Sequence, residues 1–365
     1  MDYIGRLSGL GNFSNNELQK ALAGKQCNVS FNMNVTRSNV RGQTTPKDIE
    51  TFLQLVYLNF TSVAKDSPAF ESFMGQLKLV LPSQGLQPEY AFEDSLTTIT
   101  TSGNPRYKML CEADINKISY DRCLEIIKER TANAANYTFV FVGNYDEATL
   151  LPLIEQYIAS LPANKADNVA LKDVTSFFKG KKKLDFKRKM ESPKPQLANM
   201  YYAPAENTRK NDVLMKYTGE VLSNEMLKQV REDASAAYHC SASCRINLTG
   251  STPLVTLNTS APISDPSKLD MAAELMKKIV NDAADKVDPD KVTKIRENML
   301  KEAEISFKSN GFWVGAIIEW KLYGKDNYTD YKKLIESVTP EDISSYIKNV
   351  ILKSGNHAEV IMRPE

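Results

Sequence analysis

The chain repeats itself, and this repeat is the sequence feature that most constrains its fold. Three pairs of segments match in the same order: 24–34 with 237–247, 44–60 with 264–280, and 112–146 with 339–365. The separation grows from 213 to 220 positions, and then to 228 where Asp114–Ile115 matches Asp342–Ile343, as loop insertions in one copy would produce. Three ordered matches indicate that one supersecondary unit has been duplicated.

Each copy has the pattern of an α+β domain. A helix is followed by alternating strands ("CNVSFNMNV" in the first copy, "HCSASCRINL" in the second), a capped helix, further helices and a final helix–strand pair. Meandering strands with separate helices favour an antiparallel sheet over a βαβ winding. The prediction is two homologous domains, each an antiparallel sheet with helices packed on it in two layers.

The second copy contains segments for which the first has no counterpart. Strand-like residues 181–190 and 196–204 precede its first long helix, whereas the first copy begins at or inside the corresponding helix. We therefore expect a first domain over 1–162 that lacks its N-terminal strands, a charged linker over 163–182, and a second domain over 183–365. The lysine-rich run at 181–190 is typical of an edge strand, where lysines discourage edge-to-edge aggregation.

Composition excludes several classes of function. The 365 residues include 46 Lys and Arg against 45 Asp and Glu, which argues against nucleic acid or an anionic membrane as the main partner. No apolar run approaches the ~20 residues needed to span a bilayer. The longest, "YTFVFVG" and "FWVGAII", predict a buried strand and a buried core helix. For the helix, a surface that faces a partner or a peptide is the alternative. The five scattered cysteines do not predict a disulfide framework.

A catalytic metal site is not predicted for this chain. Its only histidines, His239 and His357, lie 118 positions apart, and neither H-E-x-x-H nor H-x-x-E-H occurs. Catalytic zinc sites use three protein ligands, usually with several histidines. His357 is expected to be an exposed loop residue before the last strand. Nucleophilic catalysis is also unsupported: G-x-S-x-G is absent, and His239 and Cys240, adjacent in a predicted strand, would point to opposite faces.

Arg231 and Tyr238 form the most informative polar pair. A helix with regular apolar spacing ends near Arg231, and Tyr238 lies near the start of the next strand. An arginine at a helix C-terminus is electrostatically favourable without any further role. An arginine fork and a tyrosine hydroxyl are also good donors to carbonyl or oxyanion oxygens. The residues alone leave both interpretations open.

The chain resembles the C-terminal half of a pitrilysin/insulysin-type zinc metallopeptidase, the inverted-motif family. The resemblance extends over nearly the whole chain and includes similarity to large bacterial, Bacteroides-like members. It is carried by these segments: "GLGNFSNNELQKALAGK" (9–25), "TTPKDIETFLQLVYLNF" (44–60), "NYTFVFVGNYDEATLLPLIEQYIASLP" (136–162) and "SNGFWVGAI" (309–317).

The resemblance implies a role for the arginine–tyrosine pair. In this family the N-terminal half carries H-x-x-E-H and binds zinc, and the C-terminal half contributes an R-x6-Y pair that holds substrate. Arg231 and Tyr238 match that pair, although Ala237 stands where many relatives have glycine. At the repeat's separation of 213 positions, the first copy has Leu18 and Lys25 instead, so its domain is expected to be mainly structural.

The sequence thus predicts a non-catalytic, substrate-binding half of a zinc metalloendopeptidase that binds no cofactor itself. Zinc is expected on the missing N-terminal half, and the partners are that half, or a separate catalytic subunit, and a peptide substrate. The compartment suggested by the resemblance is the periplasm or cell envelope. One alternative is a catalytically inactive partner or scaffold subunit of an active peptidase. Another is a peptide-binding module that uses exposed strand edges.

Overall fold

The computed structural model describes residues 2–167 and 173–365, which form two compact units. Of these residues, unit 1 takes 2–85 and 110–167, and unit 2 takes 86–109 and 173–365. The domain boundaries at 162 and 183 remain predictions, and residues 168–172 of the predicted linker lie outside the described residues.

Helices and strands alternate in blocks along the chain, as expected for an α+β protein. The α-helices of the described chain are α1 Asp2–Leu7, α2 Asn15–Ala21, α3 Ile49–Thr61, α4 Ser67–Leu86, α5 Pro88–Thr100, α6 Glu112–Ile115, α7 Tyr120–Thr131, α8 Glu147–Tyr157, α9 Arg209–Met226, α10 Leu269–Asp285, α11 Pro289–Ser306, α12 Asn310–Tyr323, α13 Tyr331–Ser337 and α14 Pro340–Tyr346. The strands are β1 Gly9–Leu10, β2 Cys27–Met33, β3 Ser38–Thr44, β4 Val63–Ala64, β5 Lys181–Arg188, β6 Gln196–Pro204, β7 Ser241–Asn247, β8 Leu254–Pro262 and β9 His357–Pro364.

Unit 1 is built on two short antiparallel strand pairs, β1 with β4 and β2 with β3. Phe31 on β2 is buried. Alternate side chains of a strand point to the same face, and Phe31 lies on the face that is covered by protein. It packs with Ile4, Tyr120 and Ile127 in a small apolar core. A capping box between Ser14 and Glu17 begins α2.

The strand predicted from "YTFVFVG" is not formed, so that prediction is wrong. Residues 138–142 make no ladder with any other described strand, although Phe139 packs 5.7 Å from the Phe60 ring. The corresponding strand of unit 2, β9, lies between β5 and β6. Within residues 2–167, unit 1 contains no counterpart of β5 or β6, and a strand without a neighbour has no ladder to join.

Unit 2 contains a five-stranded sheet with the order β5-β9-β6-β8-β7. The β6–β9, β6–β8 and β7–β8 pairs are antiparallel. The β5–β9 pair is parallel, with Lys181 opposite His357, which the fully antiparallel prediction missed. A parallel pair requires a crossover connection, and the long chain between β5 and β9 provides it. The predicted α+β class is confirmed.

Both faces of this sheet are covered by protein. One face carries Leu197, Leu257 and Ile361, which pack in the main core with buried residues of α9, α10, α11 and α14. On the opposite face, Ala198, Val360 and Met362 pack against Phe92 of α5. Helix α5 lies in the middle of the first repeat in sequence, yet it belongs to unit 2. The repeat pattern alone did not predict this placement.

The two edges of the sheet are protected in different ways. Strand β5 is an edge strand with exposed lysines, which confirms the edge interpretation of the basic run. At the other edge, the Ser223 hydroxyl of α9 donates to the Ala242 carbonyl oxygen (2.8 Å) and accepts from the Ala242 N–H (3.1 Å). The outward-facing backbone groups of Ala242 on β7 are therefore already paired.

The predicted core helix "FWVGAII" forms α12 but is not a core helix, so that prediction is wrong. None of its residues is buried, and Trp320 is 61% exposed. Its apolar residues are distributed around the helix, and neighbouring elements cover only the side that holds Phe312 and Trp313. No helix within the described ranges is long and apolar enough to cross a membrane.

The described ends of the predicted linker are each held by their own unit. In unit 1, Asn164 N–H donates to the Asn133 side-chain oxygen (3.0 Å), and Asp167 N–H donates to that of Asn136 (2.8 Å). In unit 2, Phe178 is buried and its carbonyl oxygen accepts from the Tyr202 hydroxyl.

Candidate functional site

The candidate site lies at the C-terminal end of helix α9. This helix begins at the N-cap Thr208, whose side chain accepts from the Asn211 N–H over 3.3 Å. It lies very close to strand β7: a Cβ atom at Gly219 would be 3.3 Å from the Cys244 backbone nitrogen. This close approach, together with the Ser223 contacts to Ala242, fixes the helix on the sheet edge.

Helix α9 does not end as a regular α-helix but continues as a π-helix over Leu227–Asp233. The wider turn shows in the Ala234 N–H, which donates to the Gln229 carbonyl oxygen five residues earlier (3.0 Å). Val230 is fully buried in the main core, whereas the next residue, Arg231, is exposed. π-Helical turns are rare and frequently occur at functional sites.

A short connection, residues 234–240, joins the π-helix to β7 and carries Tyr238. Its backbone is held at several points: Ala236 N–H donates to the Val230 carbonyl (2.9 Å), and Ser264 N–H donates to the Ala236 carbonyl (2.8 Å). Ala237 forms an isolated antiparallel bridge with Ile263. The connection is therefore anchored to the chain after β8 as well as to the helix.

Arg231 on the π-helix and Tyr238 on the anchored connection are both exposed to solvent. Tyr238 is 85% exposed, although tyrosine rings are usually at least partly buried. Neither side chain makes a hydrogen bond or an ion pair with the described residues of the chain. Two strong donors are thus presented to solvent without internal partners, seven residues apart and flanking one rigid turn.

Cys240 is the last residue of this segment. It is 2% exposed, and burial raises the pKa of its thiol, while the positive charge of Arg231 acts in the opposite direction. The guanidinium group is therefore close enough for its charge to act on Cys240. His239, the intervening residue, is exposed, so His239 and Cys240 differ in burial and do not form a catalytic pair.

The prediction that His357 is an exposed loop residue is wrong. This histidine is the first residue of β9 and is half-buried, instead of lying exposed in a loop. Its ring stacks on Tyr201 with a centroid distance of 4.3 Å, and Nε2 lies 2.9 Å from the Asn199 side-chain oxygen. The sequence showed the turn before the strand but could not show which residues the strand would meet.

The side chains of the described residues do not fit a catalytic zinc ion. No three His, Cys, Asp or Glu side chains within 2–167 and 173–365 gather into a group that could hold a metal. His357 is occupied by Asn199, and His239 has no second histidine beside it. What the segment offers chemically is hydrogen-bond donation and positive charge.

The first copy uses the equivalent positions differently. Leu18 lies on α2 and cannot donate a side-chain hydrogen bond, and Lys25 forms an ion pair with the buried Asp48 (Nζ to Oδ1, 3.3 Å). The two copies thus differ at these positions both in residue type and in contacts. The sequence contained no signal for the π-helix. The Ala237 bridge to Ile263 and the Ser264 contact with Ala236 were also not predicted, because these partners lie more than 20 positions apart in the chain.

Two curated relatives are zinc proteases by name. The chain is 22% identical over 354 residues to "Zinc protease PQQL-like" of Arabidopsis thaliana, covering 87% of this chain and 36% of the relative. It is 20% identical over 365 residues to "Probable zinc protease PqqL" of Escherichia coli K12, covering 98% of this chain and 38% of the relative. The chain therefore spans less than two fifths of the length of these relatives.

Solved structures show the same fold. The periplasmic protease PqqL from Escherichia coli superposes with a TM-score of 0.83 at 18% identity, over 100% of this chain and 40% of that one. The peptidase M16 inactive domain from Pseudomonas fluorescens superposes with a TM-score of 0.78 at 13% identity, over 100% of this chain and 87% of that one. The family model for the peptidase M16 inactive domain matches residues 117–299, half of the chain, and the chain therefore belongs to this family.

Proposed function

We propose that this chain is the substrate-binding, non-catalytic part of a zinc metalloendopeptidase, with Arg231 and Tyr238 as its donors to the substrate. The observation that carries the proposal is that both side chains are exposed and have no partner in the described chain, Arg231 on the π-helix and Tyr238 on the anchored connection that follows it. The zinc ion, which activates water in such enzymes, would be bound by the catalytic part of the protein. The chain alone would hydrolyse no peptide.

The proposed chemistry follows from the donor types. The guanidinium fork of Arg231 and the hydroxyl of Tyr238 would donate to a peptide carbonyl oxygen in the bound substrate. The same donors would stabilise the negative charge that develops on that oxygen when water adds to the carbonyl carbon. A rigid segment suits this role, because donors that are already in place require no reorganisation during the reaction.

The comparisons support the proposal in two respects. Both curated relatives are named zinc proteases, and this chain matches only a minor part of each, which is consistent with a catalytic half that accompanies it. One structural relative is described as a periplasmic protease, and we infer the periplasm for this protein as well.

The test is steady-state peptide hydrolysis by the complete peptidase, formed by this chain and its catalytic half. Arg231→Ala and Tyr238→Phe should each lower kcat/KM through the loss of about 2–4 kcal/mol of transition-state stabilisation, or roughly 30- to 1000-fold. Zinc content should be unchanged, because the described chain has no group of side chains suited to a metal.

Matched controls separate a local effect from a general one. Arg245→Ala removes another exposed arginine of the same unit, and Tyr328→Phe removes the hydroxyl of another partly exposed tyrosine. Both controls should retain wild-type kcat/KM. Wild-type kinetics in Arg231→Ala and Tyr238→Phe would exclude the proposed role.

The alternatives predict different results. A scaffold subunit would retain binding to its active partner, but substitution of Arg231 or Tyr238 would not affect hydrolysis. A module that binds peptides by strand addition would need a free sheet edge. Ser223 already pairs with the Ala242 backbone at the β7 edge, and lysines cover the β5 edge, so the structure disfavours that mode.

A further inference from the structure

Lys268 contacts the stretch of backbone that lies between Arg231 and Tyr238. Lys268 is the last residue of a 3₁₀-helix, Pro266–Lys268, that follows β8. Its Nζ donates to the Ala234 carbonyl oxygen over 3.0 Å and to the Ser235 carbonyl oxygen over 3.2 Å. These carbonyls lie between Arg231 and Tyr238 in the chain.

The backbone at this point needs such a partner. Ser235 has φ +48°, a left-handed conformation that is unfavourable for residues other than glycine. Carbonyl groups at a helix C-terminus have no partner within the helix, and they carry the negative end of the helix dipole. The ammonium group of Lys268 satisfies two such oxygens and is electrostatically favourable there.

The first copy has an equivalent contact, in which a carboxylate takes the place of the Lys268 ammonium group. The 3₁₀-helix Pro46–Asp48 matches Pro266–Lys268 at the repeat's separation of 220 positions, so Asp48 corresponds to Lys268. Asp48 accepts from the Gln26 N–H (2.9 Å) and pairs with Lys25 (3.3 Å), both just before β2. In each copy, the third residue of this 3₁₀-helix holds the chain that leads from helix to strand.

The two contacts have different consequences for the position that follows the helix. In the first copy, the carboxylate of Asp48 pairs with the side chain of Lys25, the counterpart of Tyr238. In the second copy, Lys268 binds only backbone oxygens, and Tyr238 remains 85% exposed. Lys268 thus anchors the segment without occupying its donors.

We propose that Lys268 is a positioning residue that holds residues 234–240 in the conformation in which Arg231 and Tyr238 act together on one substrate carbonyl. This inference rests on the proposed function of the pair. Lys268 itself would not touch the substrate. Its removal would relax the turn at Ser235 and allow the two donors to move apart.

The test replaces Lys268 in the complete peptidase. Lys268→Met removes the ammonium group and keeps a long side chain, and it should lower kcat/KM by roughly 10- to 100-fold, because misplacement of catalytic groups by about 1 Å has effects of this size. Lys268→Arg keeps the cation and its donors and should recover most of the activity. Lys286→Met is the matched control, since Lys286 is exposed and its side chain has no partner in the described chain.

Two further measurements exclude a merely structural role. In a double-mutant cycle, Lys268→Met should have little additional effect on kcat/KM once Arg231 and Tyr238 have both been replaced, because its role is exerted through them. In the isolated chain, hydrogen exchange at the Ala236 N–H should accelerate in Lys268→Met while exchange in the core of β6 and β8 is unchanged. If Lys268→Met does not fold, Lys268→Gln, which keeps an uncharged donor, takes its place in both measurements.

The outcomes separate this proposal from the one on which it rests. If Arg231→Ala lowers kcat/KM but Lys268→Met behaves as wild type, Lys268 has no positioning role and the proposed function stands. If Lys268→Met reduces activity equally with and without the pair, its role is structural and the proposal is wrong. If Arg231→Ala and Tyr238→Phe are without effect, the proposed function fails, and the positioning role fails with it.

Discussion

The pKa of His357 in unit 2 is set by the residues that surround it in the folded protein. His357 is partly withdrawn from water between Tyr201 and Asn199, and this burial holds the pKa of its imidazole below the usual value. Glu359 acts in the opposite direction, and Lys277 and Lys181 add to the lowering. The folded protein therefore favours neutral His357.

A lowered histidine pKa makes stability depend on pH. The unfolded chain binds a proton near pH 6.5, whereas the folded chain binds it only at lower pH. The contribution of His357 to stability is thus present above about pH 6.5 and is lost as the pH falls through the folded pKa. Urea unfolding of the chain at about pH 7.5 and about pH 5.5 should show a smaller loss of stability in His357→Gln than in wild type.

The second histidine provides the control for this pH prediction. His239 is exposed, so His239→Gln should show the same loss of stability between the two pH values as wild type. Equal losses in wild type and His357→Gln would contradict the prediction.

At the scale of elements, the packing of α9 against β7 determines where the candidate site lies. Gly219 permits the close approach of helix and strand, and Ser223 pairs with the Ala242 backbone four residues further along the helix. From there, the π-helix turns Val230 into the core and Arg231 out to solvent. The site therefore depends on one helix–strand contact.

Two mid-helix glycines should respond oppositely to the same substitution. Gly→Ala in a helix interior is favourable by up to about 1 kcal/mol where space allows. Gly315 on α12 has nothing within 4 Å of the added Cβ, so Gly315→Ala should raise the free energy of unfolding. At Gly219 the Cβ would meet the Cys244 nitrogen at 3.3 Å, and this backbone belongs to a strand fixed to β8 and Ser223, so Gly219→Ala should lower it.

Urea titration of both variants measures the difference directly. We expect Gly219→Ala to be less stable than Gly315→Ala by at least ~1 kcal/mol. Equal stabilisation by the two substitutions would show that α9 can move away from β7 without cost.

At the scale of the whole molecule, unit 2 is assembled from separate stretches of chain. Residues 86–109 lie within the first repeat in sequence, but α5 covers one face of the unit 2 sheet through Phe92. Without α5, Ala198, Val360 and Met362 would be exposed to water. The stability of the unit that carries Arg231 and Tyr238 thus depends on a segment far from them in sequence.

Phe92→Ala should destabilise unit 2 by about 3–5 kcal/mol, as is usual for a buried phenylalanine. Trp313 and Trp320, the two tryptophans of the chain, lie in unit 2, so tryptophan fluorescence reports its unfolding in urea. Phe60→Ala is the matched control, because Phe60 is buried in unit 1. It should shift the tryptophan transition much less than Phe92→Ala does, and equal shifts would argue against the role of α5.

The α+β class could be predicted from the sequence because it depends on local pattern. The duplication and the candidate pair were inferred from pattern and residue type in the same way, and they stay predictions. Strands β2 and β7 follow from alternation, and the lysine-rich edge strand β5 from its composition. The predictions for "YTFVFVG", "FWVGAII" and His357 were wrong for a common reason. Whether an apolar or polar residue becomes buried depends on which element packs against it.

Residue type and spacing identify the two candidate donors: an arginine and a tyrosine seven positions apart in the second copy only, without a set of zinc ligands. How these donors are presented to solvent depends on the folded chain. Contacts between positions far apart in the chain, the bridge from Ala237 to Ile263 and those of Lys268 with Ala234 and Ser235, hold the connection that carries Tyr238. Such contacts depend on how distant segments meet in the folded chain, and no local pattern records that.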